Sequence, residues 1–222
     1  HGGPHGPRDY WQFDWRAQAI ASQGYAVLQV NFRGSGGYGD KFEQAGYREW
    51  GGKIQHDIID ATYWAISQGI ADKERICIYG GSFGAYSALQ SAILAPNLFK
   101  CTIGASGVYD LPLMYEDGDI PKWVYGKKYL SKAIGEEELN LKAFSPSYNV
   151  DQLKAPVLLI HGSADERTPI SQAKSLEEAL KAKVHPYRTL YIDNEYHGFV
   201  EESNRLKAFE AIIEFLNEHI GS

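Results

Sequence analysis

The chain has 222 residues, of which 44% are hydrophobic and 13% aromatic, which is enough to bury a core and excludes a disordered chain. Lys and Arg number 22 against 28 Asp and Glu, so the net charge of −6 offers no basic surface to nucleic acid or anionic lipid. Apolar runs such as residues 157–160 fall far below the roughly 18 residues of a membrane helix. We predict one globular domain that binds neither nucleic acid nor a membrane.

Cys77 and Cys101 are the two cysteines, and each lies in a short apolar run. Two buried small hydrophobic residues explain this pattern better than a disulfide or a metal site does, so no metal site is predicted. The first residue is His1 rather than Met, so we expect the natural N-terminus to lie outside this sequence. Localisation, whether cytoplasmic or periplasmic, is therefore unknown from the sequence.

Five short apolar segments predict β-strands, and most are apolar throughout, which is typical of strands covered on both faces. In chain order they are residues 25–31, 76–79, 101–104, 157–160 and 188–192. Four stripes of helical periodicity lie between or after them: Ile54 to Ala65, Ala85 to Ile93, Ala173 to Leu180, and Leu206, Phe209, Ile213, Leu216 and Ile220. This alternation predicts an α/β fold with a mainly parallel sheet and helices on both faces.

Residues 106–154 interrupt the alternation. At about 50 residues this segment is too long for a plain loop, and we predict an excursion with short helices over the strand ends. Its aromatic side chains serve either as packing or as a wall for a substrate. They are Tyr109, Tyr115, Trp123, Tyr125 and Tyr129.

A glycine-rich pentapeptide directly follows the strand predicted at residues 76–79. Residues 80–84 read Gly-Gly-Ser-Phe-Gly, which fits the Gly-x-Ser-x-Gly pattern of a nucleophile elbow between a strand and a helix. The glycines leave space where side chains would collide, and the helix N-terminus favours negative charge near the serine. The alternative is a tight turn with an N-capping serine. In this context the pattern predicts that Ser82 is a nucleophile.

Two later loops supply the acid and the base that such a serine needs. Asp165 follows the strand predicted at 157–160, and His197 follows the one at 188–192. The carboxyl ends of parallel strands share one sheet edge, and the order Ser, Asp, His is that of the α/β-hydrolase fold. We therefore predict a triad of Ser82, Asp165 and His197.

Other titratable residues compete for these roles. Glu166 and Asp193 are rival acids that the sequence does not exclude. His161 also ends a strand, and we expect it to close its turn. His56 and His185 are expected at the surface.

A tetrahedral intermediate also needs hydrogen-bond donors for its oxyanion. The amide of Phe83, next to the nucleophile, is one candidate. The opening residues His1, Gly2, Gly3 and Pro4 resemble the HGG-type loop that supplies another. The alternative is a flexible terminal turn.

Residues 34–39 match a Gly-x-G-x-x-Gly dinucleotide fingerprint after a predicted strand. The third glycine of such a site opens a long helix, yet residues 40–52 contain three further glycines and no apolar stripe. Asp57 and Asp60 stand roughly where a ribose-binding acid would lie. We regard a cofactor site here as the minor alternative.

Together these motifs resemble the catalytic domain of the prolyl oligopeptidase family of serine peptidases, in its acylaminoacyl-peptidase and dipeptidyl-aminopeptidase-like branch. The resemblance runs through residues 1–4, 31–39, 80–86, 165–169 and 197–199. It implies an α/β-hydrolase fold and assigns nucleophile, acid and base to the positions of Ser82, Asp165 and His197. It also implies that residues 34–39 form a structural loop near the site.

The resemblance implies a substrate site as well. Arg167, two residues after the acid, is a candidate for orienting the peptide, with a surface ion pair to Glu166 as the alternative. Phe83, Val108 and Tyr115 fall where the family lines the pocket for the residue before the scissile bond.

The chain also departs from the family. Some members use a tyrosine hydroxyl at the position of His1 as an oxyanion donor, so here the donor is either the His1 imidazole or the amide of Gly2 or Gly3. The family has a central strand just before this turn and an N-terminal β-propeller that screens substrates by size. Neither is present, so we expect the chain, residues 1–222, to be a fragment whose sheet lacks its N-terminal strands.

We therefore predict a serine peptidase that hydrolyses short peptides through an acyl-enzyme, with no metal or cofactor. Three alternatives stay open: a carboxylesterase of the same fold, a catalytically silent hydrolase-like interaction domain, and nicotinamide binding at residues 34–39. Dipeptidyl, acylaminoacyl or internal cleavage, and a homo-oligomeric state, are not decided by the sequence.

Overall fold

The computed structural model describes residues 1–221 and consists of a small parallel sheet with helices around it. The strands are β1 (Cys77–Gly81), β2 (Cys101–Ala105), β3 (Val157–Gly162) and β4 (Tyr187–Ile192). The helices are α1 (Trp15–Ser22), α2 (Asp40–Gln44), α3 (Lys53–Ser67), α4 (Phe83–Leu94), α5 (Leu113–Glu116), α6 (Val124–Ala133), α7 (Glu138–Ala143), α8 (Ile170–Ala182) and α9 (Glu202–Ile220). Four of the predicted strands and all four predicted helices are confirmed.

The sheet has the order β1-β2-β3-β4, and every neighbouring pair is parallel. Alternate side chains of β3 enter two different cores: Val157 and Leu159 pack with α4 and α8, while Leu158 and Ile160 pack with α9. Helices therefore cover both faces, as predicted, which explains why β3 is apolar throughout. This arrangement brings the carboxyl ends of β1, β3 and β4 to one edge.

The terminal helix α9 buries a slightly different stripe from the predicted one. Ala208, Ile212, Phe215 and Leu216 are buried against the sheet. Leu206 was predicted in the stripe but is 56% exposed, so that assignment was wrong. Leu206 lies near the start of the helix and is not part of the apolar cluster that α9 contacts.

Residues 25–31 do not form the predicted strand. Within residues 1–221 this segment is extended chain without ladder hydrogen bonds, and Val27 and Leu28 are 40% and 49% exposed. A strand needs a neighbour to satisfy its backbone donors and acceptors, and β1 pairs only with β2 in the described chain. High strand propensity without a pairing partner therefore leaves the segment unpaired.

The interpretation of the cysteines was also wrong. Cys77 and Cys101 are register partners on β1 and β2, with their Cα atoms 4.7 Å apart, and they form a disulfide. That separation lies within the normal range for a disulfide. Because the two residues are 24 positions apart in the chain, only the strand register brings them together.

The excursion predicted at residues 106–154 contains α5, α6 and α7 together with three short 3₁₀ segments, as expected. The five aromatic residues considered as packing or as a substrate wall differ in exposure, and Tyr115 and Tyr129 are half-buried. Tyr109 is fully buried, whereas Trp123 and Tyr125 are 70% and 85% exposed. No helix in the described part of the chain combines the length and apolarity needed to cross a bilayer.

Candidate active site

The turn between β1 and α4 holds Ser82 in a strained conformation. Its φ of 58° and ψ of −125° are rare for a residue with a side chain, as a nucleophile elbow requires. The Ser82 amide donates to the carbonyl of Ala105 on the neighbouring strand at 2.9 Å. A Cβ at Gly80 would lie 2.2 Å from the backbone of Gly84, so the elbow needs glycine at this position.

The first residues of the chain pack directly against the elbow. A Cβ added at Gly2 would lie 3.4 Å from the Cβ of Ser82. The His1 ring stacks on Phe32 and its Nε2 lies 2.8 Å from the hydroxyl of the buried Ser35. The imidazole of His1 is therefore engaged with residues 32–35 and positions the turn.

Three backbone amides of the elbow and of the opening turn are free to donate. The N–H groups of Gly2, Gly3 and Phe83 form no hydrogen bond with any residue among 1–221. Phe83 is the first residue of α4, where the helix dipole adds positive potential. These amides, rather than the His1 ring, suit an oxyanion.

At the same sheet edge the loops after β3 and β4 bring an acid and a base together. The Nδ1 atom of His197 lies 2.9 Å from Oδ2 of Asp165. The Asp165 side chain is completely buried, and its Oδ1 accepts hydrogen bonds from the amides of Arg167 and Thr168, both at 2.9 Å. The Thr168 hydroxyl lies 3.0 Å from Oδ2. The carboxylate is therefore held at both oxygens.

This environment keeps Asp165 ionised. Burial alone would raise the pKa of its carboxyl, but the hydrogen bonds from His197 and the Thr168 amide favour the charged form and outweigh burial. The resulting pKa lies below the ordinary value of an aspartic acid. A charged Asp165 can accept a hydrogen bond from Nδ1–H of His197, which leaves Nε2 as the basic nitrogen.

The third contact of the predicted triad is not formed in the described residues. Neither the Ser82 hydroxyl nor Nε2 of His197 has a hydrogen-bond partner there. The His197 side chain is 32% exposed. The structure pairs Asp165 with His197 and places Ser82 beside the opening turn of the chain, on the same edge.

Apart from His161, the other residues considered for the roles of acid and base form no hydrogen bond or ion pair with Asp165 or His197 through their side chains in the described part of the chain. Asp193 is exposed, and Glu166 contributes only its backbone carbonyl, which accepts from the amide of Asp119. His56 is exposed as predicted, whereas His185 is half-buried with Nε2 2.8 Å from the carbonyl of Ala155.

Glu195 is a supporting residue that sequence reasoning missed. Its side chain is buried and accepts hydrogen bonds from the amides of Val200 and Glu201, and its carbonyl accepts from the amide of Ala164. Burial alone would raise the pKa of Glu195, but the hydrogen bonds from Asn204 and these amides outweigh burial and leave the pKa below its ordinary value. Glu195 thereby joins the loop that carries His197 to the loop that carries Asp165. The only sequence signal for this role of Glu195 was the position of a carboxylate two residues before His197.

The glycine loop at residues 34–39 packs against the opening turn. A Cβ at Gly36 would lie 2.0 Å from the carbonyl oxygen of Gly6, and the Gly36 amide donates to Pro7. Asp57 accepts two hydrogen bonds from the Arg33 guanidinium and one from its amide. Residues 6 and 7 therefore pack into the glycine loop, and the Asp57 carboxylate is already bonded to Arg33. Both observations favour a structural role for residues 34–39 over a dinucleotide site. A helix does open after Gly39, contrary to expectation, but α2 has only five residues.

Arg167 lies two residues after Asp165 in the same loop, and its side chain is 54% exposed. Its guanidinium pairs with Asp119 of the excursion at 2.9 Å and not with Glu166, so that alternative was wrong. The ion pair reaches from the acid loop to the excursion, which only the tertiary structure brings close.

The three predicted pocket residues share one apolar cluster. Phe83 and Val108 are buried in it, and Tyr115 packs against it half-buried, with its hydroxyl donating to the carbonyl of Gly135. Burial raises the pKa of Tyr115 to about 12. Trp50 lies with its ring 4.4 Å from that of Phe83 and forms part of the same cluster.

This chain is similar to known proteins over almost its whole length. The model of the prolyl oligopeptidase family matches residues 11–222. Dipeptidyl aminopeptidase BIII of Pseudoxanthomonas mexicana is 36% identical over 100% of this chain and 32% of its own length. The acylamino-acid-releasing enzyme of Arabidopsis thaliana is 30% identical over 99% of this chain and 29% of its own.

A puromycin-hydrolyzing peptidase of Mycobacterium tuberculosis has a similar solved structure, with a TM-score of 0.93 and 31% identity over 100% of this chain and 33% of that one. The chain therefore spans about a third of the length of the relatives it matches.

Proposed function

Because the chain belongs to the prolyl oligopeptidase family, we propose that it is the catalytic domain of a serine peptidase that hydrolyses short peptides. The observation that carries the proposal is the hydrogen bond between His197 and the buried Asp165, at the sheet edge where Ser82 occupies its strained elbow. Acid and base are thereby paired at the same sheet edge as the Ser82 hydroxyl.

In the proposed mechanism Oγ of Ser82 attacks the scissile carbonyl while Nε2 of His197 takes its proton. Asp165 accepts from Nδ1–H, which fixes the tautomer and stabilises the imidazolium. The amides of Phe83 and of Gly2 or Gly3 donate to the oxyanion, and such a donor lowers the barrier by roughly 3 to 4 kcal/mol. The C–N bond then breaks as His197 passes the proton to the leaving amine, and water repeats the cycle on the acyl-enzyme.

We assign substrate contacts to residues around this centre. Arg167, held by Asp119 and half-exposed, would donate to a backbone carbonyl of the peptide. Val108, Tyr115 and Phe83 would line the pocket for the residue before the scissile bond. An Arg167→Met variant should raise KM for peptides more than it lowers kcat.

The test is fluorophosphonate labelling of the complete protein, with Ser82→Ala and, as a matched control, Ser67→Ala at the exposed end of α3. We expect the wild type and Ser67→Ala to react and Ser82→Ala to stay unlabelled. Peptide anilides with free or acylated amino termini and internal peptide bonds then separate the modes of cleavage.

Two results would contradict the proposal and indicate another function. Turnover of nitrophenyl esters with no cleavage of any peptide would indicate a carboxylesterase. A correctly folded wild type that fails to react would indicate an interaction domain without catalysis.

We also propose that a β-propeller preceding this domain limits access to short peptides, because the matched relatives are about three times longer. Cleavage of a folded protein as fast as of a short peptide would contradict this.

A further inference from the structure

His161 is a fully buried histidine whose ring lies close to Asp165, the acid of the site. It is the fifth residue of β3, and none of it is exposed. Its Nε2 lies 2.6 Å from the carbonyl oxygen of Thr168 and 3.6 Å from Oδ2 of Asp165. Its Nδ1 is buried and has no hydrogen-bond partner among the described residues. The ring therefore touches the Asp165 loop at two points and leaves its other nitrogen unpaired.

The contacts define the protonation state of this ring. A carbonyl oxygen only accepts, so Nε2 of His161 carries a hydrogen and donates it to Thr168. Burial lowers the pKa of His161, which keeps the ring neutral and Nδ1 without a proton. The Nε2–H group therefore points at the Thr168 carbonyl, and the Asp165 carboxylate lies 3.6 Å from the same nitrogen.

Packing alone does not explain an imidazole at this position. A methionine would occupy a similar volume without an unpaired buried nitrogen, whose loss of hydration is unfavourable. The contact that compensates is the bond to Thr168, and Thr168 is itself a partner of the catalytic pair. Its amide donates to Oδ1 of Asp165, and its hydroxyl lies 3.0 Å from Oδ2 and 3.2 Å from Nδ1 of His197.

We propose that His161 is a positioning residue for the acid of the triad. Its Nε2–H holds Thr168, and through Thr168 it holds the Asp165 carboxylate in the orientation in which Oδ2 meets His197. This inference rests on the proposed function, because it concerns the same site.

The test compares two replacements of His161 in the complete protein. His161→Met removes the donor, whereas His161→Gln places an amide N–H near the position of Nε2. We expect His161→Met to lower kcat at least tenfold with KM within twofold, and to shift the acid limb of the kcat/KM profile, which reports the Asp165–His197 pair. His161→Gln should recover kcat to within about threefold.

His185 offers a matched control. Its Nε2 also bonds a backbone carbonyl, that of Ala155, but it has no contact with the triad. His185→Met should leave kcat and the acid limb unchanged. If His161→Met does not fold, His161→Asn takes its place, because its shorter amide does not reach Thr168.

The proposal would be overturned if His161→Met kept the wild-type kcat and acid limb, or if a lowered unfolding midpoint were the only change in that variant. A loss of kcat in His161→Met that His161→Gln does not rescue would also overturn it. Failure of the proposed function gives a different result, because the wild type itself would then not react with a fluorophosphonate.

Discussion

Replacing Asp165 by asparagine tests the site most directly, because the structure dictates how the new amide must sit. Oδ1 of Asp165 accepts hydrogen bonds from the amides of Arg167 and Thr168. An NH₂ group cannot accept, so the asparagine oxygen takes the Oδ1 position and its NH₂ takes the Oδ2 position, facing His197. Nδ1 of His197 must then accept, and the proton moves to Nε2. In that tautomer His197 cannot receive a proton from Ser82.

The size of the effect follows from the loss of the general base. In a Ser-His-Asp triad this wrong tautomer lowers kcat by about 10⁴, equivalent to roughly 5 kcal/mol of barrier. Steady-state hydrolysis of a peptide anilide by the complete protein measures it. KM should change little, because the substrate contacts stay in place.

Asp193→Asn is the matched control, since Asp193 is an exposed acid four residues before His197. It should keep wild-type kcat. If Asp165→Asn retained activity within tenfold of the wild type while Asp193→Asn lost it, the assignment of the acid would be wrong.

Three further predictions concern the elbow, the opening turn at residues 1–4 and acid stability. Gly80→Ala should abolish fluorophosphonate labelling, because the added Cβ would lie 2.2 Å from the backbone of Gly84. Gly81→Ala should still react, because its Cβ would lie 3.7 Å from the nearest atom, the carbonyl oxygen of Ala105. Equal labelling of the two variants would contradict the steric argument. Ser35→Ala removes the partner of the His1 ring and should lower kcat about fivefold with unchanged KM, as one lost hydrogen bond of about 1 kcal/mol implies; a change in KM alone would refute this. The folded pKa of Asp165 is below its unfolded value of 3.8, so the stability it contributes is present above that pH and is lost as the pH falls through the folded pKa. Urea unfolding between pH 6 and pH 2 should therefore show the difference between wild type and Asp165→Asn shrinking toward acid, and a constant difference would contradict it.

The amino-acid sequence by itself determined the elements whose signals are local. Residues 80–84 identify an elbow because the two glycines, the serine and the flanking strand and helix are all within a few positions. The patterns at residues 157–160 and 188–192 predict strands, and their loops carry Asp165 and His197 to one edge. These conclusions depend on side-chain periodicity and steric limits that act within a few residues.

Only the tertiary structure decided which distant groups meet. The Cys77–Cys101 disulfide depends on the register of β1 and β2. The ring of His1 is held by Ser35, 34 positions away. Residues 25–31 have strand propensity but no neighbour to pair with, and hydrogen bonding between strands is a property of two segments, not one. Which of several acids meets His197 likewise depends on how the loops pack. Spacing along the chain carries no information on these contacts, because they are made across the fold.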